Sequence, residues 1–455
     1  MSGEAPAIVT AAEVITHAAL RERVVTAAGR LRALGVGAGT RVGLWAENGP
    51  DWIVLALAVT RVAGVLIPLN TRLADPEIDW QIKRAGMPLV IAGNGLAHRR
   101  PNGCRVFSLD EWHSLPVASG APDPVCDDAG REHAIVFTSG TSGRPKGAIL
   151  TWGNQLASVR AAAGVLPLGP TDRWLASLPF FHVGGMGIVF RCVLARACIV
   201  IPDSFAAAEL DDRLEADAIT HVSLVEVTLR RILELRGGRA FPPQLRAAVV
   251  GGGPVAPALV ERCPPALPSY GMTETCSMVT LVRPGTPITQ RLDSGKPLPG
   301  VDLRIADDGI IEVRGPMVMR GYLDDPQATA AAIRDGWFRT GDLGEIDAGG
   351  NLRVHARRED LIVSGGENIY PAEIERALRE HPDVLDAVVL GVPDERWGEA
   401  PLAFVELRQP GSPDLRAFLS ARLAGFKLPR IALVVAIPRL ANGKPDRMSL
   451  RSRAV

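Results

Sequence analysis

The sequence predicts an α/β protein: a large N-terminal body of parallel α/β sheets with a β-barrel-like appendage, followed by a small C-terminal α+β domain. Three observations carry this expectation. From Ala11 to Val250, apolar residues at helical spacing alternate with short apolar runs bounded by Gly, Pro or Asn, the pattern of helices alternating with strands buried on both faces. After about Gly295 the texture changes to short alternating segments punctuated by Asp-Gly and Gly-Gly, which read as antiparallel hairpins. Beyond Asp360 a second, shorter helix and strand alternation begins, of a size suited to one small domain.

In chain order, the periodicity predicts a helix from Ala11 to Leu34 and strands at Val42 to Trp45, Gly64 to Pro68, Pro88 to Ala92 and Ala134 to Thr138. A helix from about Trp152 to Val165 follows, then strands near Arg173 to Leu178, Ala197 to Ile201 and Ala247 to Val250. The segments VDLRIADDGIIEVRG and GDLGEIDAGGNLRVHARRED supply the hairpins. The last part carries a helix at Ala372 to Glu380, strands at Val384 to Val392 and Ala403 to Leu407, and a helix at Asp414 to Ala424. The polar stretch HARRED marks the boundary, giving an N-terminal domain over 1–357, a connection over 358–360 and a C-terminal domain over 361–455.

The 455 residues carry 50 Lys+Arg against 50 Asp+Glu, and this zero formal charge argues against a nucleic-acid partner. No apolar stretch approaches the roughly 20 residues of a membrane span. The N-terminus has an early Glu4 and no basic region leading into an apolar run, so it does not read as a secretory signal. Six dispersed cysteines without a close CxxC pair disfavour both a zinc site and a disulfide framework, and a reducing cytoplasm fits them. Only five basic residues are lysine (Lys83, Lys146, Lys296, Lys427, Lys444), and tyrosine occurs three times. Where a plain surface charge suffices this chain uses Arg, so a Lys or Tyr inside a motif is more informative than usual.

The string TSGTSGRPKG, Thr138 to Gly147, reads as a loop between a strand and a helix and packs three Gly, four hydroxyl residues and Lys146 into one segment. Glycines let backbone N–H groups turn toward an anion, hydroxyls donate further hydrogen bonds and Lys146 adds a point charge, which suits an oligophosphate. Gly147 stands where a Walker A loop needs Ser or Thr. The bland alternative is a flexible turn with an incidental lysine. Gly251, Gly252 and Gly253 follow a strand and would let a flat base approach the backbone at the C-terminal end of a parallel sheet, a simple tight turn being the alternative. Asp342, between two glycines at a strand end, can accept from vicinal ribose hydroxyls or cap its own turn.

This string, together with YGMTE at Tyr270 to Glu274, TGD at Thr340 to Asp342, the RREDLIVSGGENIYPAEIE stretch and a near-terminal GK, resembles the adenylate-forming superfamily of acyl-CoA synthetases, luciferases and peptide-synthetase adenylation domains. The motifs keep the family's order over about the last seven tenths of the chain. LTWGNQLASVRAA, WLASLPFFHVGGM and SYGMTETCS resemble more narrowly the 2-succinylbenzoate:CoA ligases of menaquinone synthesis.

The resemblance implies an enzyme that uses ATP, Mg²⁺ and coenzyme A to turn a small carboxylic acid into a thioester through an acyl-adenylate. Thr138, Ser139, Gly140, Thr141, Ser142, Gly143 and Lys146 would embrace the β- and γ-phosphates. Tyr270 and Gly271 would flank the nucleotide, Thr273 would contact the α-phosphate and Glu274 would hold the metal. Asp342, with Arg357 as a second contact, would take the ribose. Lys444 would swing in with a mobile C-terminal domain and bridge the acid and the α-phosphate, whereas Gly365 and Gly366 would line the pantetheine path after that domain turns. The hinge falls on Glu359, where the family normally carries Asp or Lys.

His182, Gly184 and Gly185 occupy the place of the acyl pocket in related enzymes, and a basic residue at the place of Arg191 is thought to bind a distal carboxylate. An Arg within VFRCVL is costly to bury without an anionic partner, which could be the substrate, an internal Asp or Glu, or solvent if the helix exposes it. A carrier-protein-loading adenylation enzyme, a luciferase-like oxygenase and a nucleotide sensor are the other classes weighed. Self-association into a homo-oligomer stays open.

Overall fold

The computed structural model describes residues 4–99, 101, 103–118, 128–138, 145–253, 255–291, 293–356, 361–439 and 445–453. Contacts divide the chain into two compact units. The first comprises Met1–Thr71, Ala85–Val136 and Gly147–His355, and the second Arg72–Arg84, Phe137–Lys146 and Ala356–Val455.

The first unit contains a nine-stranded sheet whose middle strands run parallel, in the order Ala266–Met272, Ala247–Val250, His221–Leu224, Arg173–Leu175, Cys198–Val200 and Pro6–Val9. Ala247–Val250 and His221–Leu224 are buried along their whole length, as expected of short apolar strands covered on both faces by helices. Antiparallel strands close both edges: Val14–Thr16 on one side, Ser277–Leu281 and Lys296–Pro297 on the other. A seven-stranded sheet has Arg41–Trp45, Val65–Pro68, Leu89–Ala92 and Arg105–Ser108 as parallel neighbours. The expected hairpins form a separate five-stranded antiparallel sheet, including Asp302–Ile305, Ile310–Arg314 and Trp337–Ile346. Trp52, Trp174, Phe180 and Phe190 are fully buried in this unit.

Local chemistry corrects several expected boundaries. The first helix runs His17–Ala33 rather than from Ala11, because Val14–Thr16 pairs as a strand and the Thr16 side chain accepts from Ala19 N–H as an N-cap. The strand expected to reach Leu178 stops at Leu175, whereas the one expected at Ala403 begins at Gly398. The helix expected over Asp414 to Ala424 is Leu415–Ser420. The largest correction concerns the glycine-rich loop. It leads from the strand Glu132–Thr138 into a second strand, Lys146–Thr151, and not into a helix. The alternation in KGAILT buries Ala148 and Leu150 and pairs the segment with Gly321–Tyr322, and the helix Trp152–Ala163 starts only after Thr151, which caps it reciprocally with Asn154. A helix N-terminus therefore does not directly follow the loop.

The second unit has a five-stranded sheet around the long hairpin Val384–Asp394 and Gly398–Leu407, with Arg430–Val434 added in parallel. The helix Pro371–Arg379 buries Ile374, Ala377 and Leu378 on one face. Lys427 is buried in this unit, with Nζ 2.5 Å from Glu77 Oε1 and 2.9 Å from Glu373 Oε1. Burial pushes the Glu373 carboxyl up, and Lys427 keeps its charge because the two carboxylates outweigh its own desolvation. No helix among the described residues is long and apolar enough to cross a membrane.

Candidate active site

Two neighbouring parallel strands of the nine-stranded sheet end on residues singled out in the sequence. Ala247–Val250 runs directly into Gly251–Gly253. Gly252 has φ +82°, which favours glycine, and a Cβ on Gly251 would lie 2.8 Å from Ser269 Oγ, so the serine hydroxyl would have to turn aside. Beside it, Ala266–Met272 carries Tyr270 and Gly271. Tyr270 is 6% exposed and its hydroxyl donates to Asp342 Oδ2 at 2.7 Å, joining the parallel sheet to the hairpin sheet. Asp342 lies within the strand Trp337–Ile346 rather than at its end, next to Gly341 with φ +79°.

The chain then turns through Thr273–Thr275, a single 3₁₀ turn. Tyr322 Oη donates to Glu274 Oε1 at 2.9 Å, and Met319 N–H donates to the Glu274 carbonyl at 2.8 Å. Fully buried Thr275 accepts from Met272 N–H and donates to the Ser277 carbonyl at 2.9 Å. Cys276 and Ser277 follow with φ of +55° and +111°, two consecutive non-glycine residues in backbone regions that side chains disfavour. The Ser158 hydroxyl steadies this turn by donating to the Cys276 carbonyl at 3.0 Å.

The same turn meets Arg191. The helix Val183–Ala195 begins after His182, whose half-buried ring stands edge-on to Phe181 with centroids 4.7 Å apart. Its first turn packs closely on the preceding segment, since a Cβ on Gly185 would lie 2.1 Å from the Pro179 carbonyl oxygen. Two turns into this helix, Arg191 is 4% exposed and donates from one terminal nitrogen to Ser277 Oγ at 3.1 Å. Its Nε is buried without a hydrogen-bond partner, and no carboxylate among the described residues forms an ion pair with it. Burial lowers its pKa to about 10, which leaves it charged at neutral pH. A Cβ on Gly187 would come within 3.2 Å of the same guanidinium. Cys276, beside Arg191, is inert in its resting form because burial pushes its thiol up to about 12.

In the second unit, Thr138 Oγ1 donates to the Lys146 carbonyl at 3.4 Å, across the mouth of the glycine-rich loop. Gly365 and Gly366, with φ of +56° and +87°, form the tight turn between Ile362–Ser364 and Glu367–Ile369. Gly365 N–H donates to the Trp397 carbonyl at 2.9 Å, and a Cβ there would meet the Trp397 ring at 2.7 Å. Ser139, Gly140, Thr141, Ser142, Gly143, Arg357, Glu359 and Lys444 lie outside the described residues.

Residues 1–323 match the AMP-binding enzyme family, and residues 373–444 match the AMP-binding enzyme C-terminal domain. The chain belongs to the AMP-binding enzyme family. Among curated family members, it is 36% identical to a 2-succinylbenzoate--CoA ligase of Listeria monocytogenes over 100% of this chain and 97% of that protein. It is 38% identical to the enzyme of that name from Geobacillus kaustophilus, over 96% and 92%. Among solved structures, a double mutant of o-succinylbenzoate CoA synthetase from Bacillus subtilis, bound to a product analogue, superposes with a TM-score of 0.94 at 31% identity, covering 100% of this chain and 97% of that one. The same synthetase in complex with ATP and magnesium ion gives 0.74 at 31% identity, over 99% and 97%. An amide bond synthetase from Marinactinospora thermotolerans gives 0.88 at 29% identity, over 99% and 97%.

Within this family fold, Tyr270, Asp342, Glu274 and the Gly251–Gly253 turn sit on strand ends or strands that meet directly, and Arg191 joins them through Ser277. Tyr322, Thr275 and Ser277 are site residues that motif reading missed. For Tyr322 a signal existed: of three tyrosines, two donate to candidate-site carboxylates. The described residues include no group of three or more His, Cys, Asp or Glu able to hold a metal ion. A single carboxylate, Glu274, suits a magnesium ion that arrives already bound to nucleotide phosphates.

Proposed function

We propose that this chain is an ATP-dependent acid:CoA ligase that activates 2-succinylbenzoate as its acyl-adenylate, releases pyrophosphate and transfers the acyl group to coenzyme A, a step of menaquinone synthesis carried out in the cytoplasm. The observation that carries the acid assignment is Arg191: a charged, buried guanidinium with one hydroxyl contact and no carboxylate partner among the described residues. Such a charge needs an anion, and an acid with a second carboxylate supplies one while its first carboxylate reacts. A fatty acid would leave Arg191 unpaired. The names of the full-length relatives support the same reading.

A carboxylate is a poor electrophile, so the chemistry begins with attack of its oxygen on the α-phosphorus of ATP. The bond to the pyrophosphate oxygen breaks, and the acid is left as a mixed anhydride. Thr138, Lys146 and the loop between them hold the departing phosphates, and Lys444 bridges acid and α-phosphate where charge develops. Asp342, oriented by Tyr270, takes the ribose, and the Gly251–Gly253 turn takes the adenine. Glu274 would hold magnesium, which neutralises phosphate charge, and Thr273 would contact the α-phosphate. The CoA thiol, approaching along Gly365 and Gly366, then attacks the acyl carbon and AMP leaves. Turning between these half-reactions at Glu359 belongs to the same proposal.

The likeness to an amide bond synthetase favours one second reading, in which an amine replaces the thiol as acceptor. Incubation with ATP, magnesium and a panel of mono- and dicarboxylic acids, with either CoA or a simple amine, separates the readings by product mass. The expected result is a succinylbenzoyl thioester with stoichiometric AMP and pyrophosphate. Turnover restricted to monocarboxylic acids, or absence of pyrophosphate with every acid, would overturn the proposal.

A further inference from the structure

The same two strands that end at the nucleotide-side residues begin at a cleft of about 630 Å³ on the opposite end of the sheet. Arg246 immediately precedes Ala247–Val250, and Pro264 and Pro265 precede Ala266–Met272. At about 3.3 Å per residue, the cleft lies roughly 15 Å from Gly251 along the strand. It is therefore separate from the residues described above.

The lining has an unusual composition. Its charged or hydrogen-bonding side chains are four arginines, Arg236, Arg239, Arg246 and Arg262, and the remainder is apolar or glycine, including Phe241 and four prolines. Arg236 is scaffold: its side chain is 1% exposed, it is bonded to Asp211 and Glu215, and it lies over the Phe241 ring at 4.4 Å. The other three guanidiniums reach solvent. Arg239 shares Asp211 and Glu215 with Arg236, and Arg246 pairs with Asp172. Arg262 donates to the Leu233 carbonyl at 3.1 Å and has no carboxylate partner among the described residues. Three carboxylates thus face four guanidiniums, and an excess positive charge remains at the rim of an apolar hollow.

We propose that this cleft is a second binding site, for a small aromatic carboxylate, with the ring against Phe241 and the prolines and the carboxylate on Arg262 and Arg239. The volume is that of an ordinary small-molecule pocket. Planar guanidiniums on its rim can take a carboxylate through two parallel hydrogen bonds, and proline and phenylalanine walls favour a flat apolar body over a hydrated inorganic ion.

The test uses 2-naphthoate as the probe, titrated calorimetrically into the full chain, its Arg262→Glu variant and its Arg191→Met variant. Arg262 is exposed, and its charge reversal is expected to leave the melting temperature and basal pyrophosphate release unchanged. The expected result is a saturable site whose affinity falls at least tenfold in Arg262→Glu and persists in Arg191→Met. Arg239→Gln, which keeps a polar side chain, is expected to weaken the same site as an independent check. Binding within twofold of the parent in both cleft variants, or binding abolished by Arg191→Met alone, would overturn the site. Inorganic phosphate binding as tightly as 2-naphthoate, with the same dependence on Arg262, would overturn the aromatic assignment. These outcomes do not depend on which acid the enzyme activates.

Discussion

Replacing Arg191 with methionine should strengthen the fold while weakening the enzyme's hold on its acid. Burial brings the guanidinium pKa from its ordinary 12.5 to about 10. At about 1.4 kcal/mol per pKa unit, keeping this charge inside costs the free protein about 3 kcal/mol. The single bond to Ser277 Oγ offsets only part of that, and the buried Nε offsets none. Methionine fills the aliphatic part of the same space without the charge. The Arg191→Met chain should therefore gain about 1 to 3 kcal/mol of stability, read as a higher calorimetric melting temperature. Losing one partner of a buried charge pair costs a bound ligand about 2 kcal/mol or more, so KM for a dicarboxylic acid should rise about 30-fold or more, with KM for ATP unchanged. Pyrophosphate release, assayed against acid and ATP in turn, gives both constants. A variant that melts lower and binds the acid as before would refute the reasoning, because Arg191 would then be a satisfied structural residue.

Tyr270→Phe removes the hydroxyl that orients Asp342. It should raise KM for ATP by about tenfold or more, in line with about 1.5 to 3 kcal/mol for a hydrogen bond to a charged group, while KM for the acid stays put. Tyr322→Phe frees the Glu274 carboxylate from its donor, and the magnesium concentration for half-maximal rate should rise severalfold in a metal titration. Lys444→Ala should lose acyl-adenylate formation yet still convert supplied acyl-adenylate to thioester; equal damage to both half-reactions, measured by quenched flow, would contradict its assigned role. His133 is fully buried between Trp152 and Phe190, and burial pushes its pKa down to about 3. The unfolded chain therefore binds a proton that the folded chain refuses as pH falls from about 6.5 toward 3, so stability is full above that window and declines through it. His133→Leu should flatten this part of a denaturation-against-pH curve.

The parallel sheets were legible because their strands are short apolar runs between strong turn residues. Ala247–Val250 agrees with expectation to the residue, since glycines and an arginine bracket four apolar positions. Where one segment could serve two periods, the sequence misled. KGAILT next to TWGNQL reads as the lead-in to a helix until its partner strand Gly321–Tyr322 is known, and that partner is some 170 residues away. Ala11 to Thr16 likewise joins the helical pattern until Val14–Thr16 pairs with Pro6–Val9. Long-range pairing also hid Tyr322, which belongs to no motif, and the part played by Ser277, which closes the SYGMTETCS string; they enter the site through hydrogen bonds to Glu274 and Arg191. Lys427, a lysine outside every quoted motif, is an internal ion-pair partner of Glu77 and Glu373.

The hydrogen atom that stands for a side chain at Gly187 makes the location of the inner cation adjustable. One added methyl there would press on the guanidinium and slide it by a few tenths of an ångström, leaving its charge and the neighbouring turn in place. With Arg191 as the proposed anchor of the acid, acid length could drift through that position in a lineage, or be steered through it at the bench, without touching the residues proposed for the nucleotide.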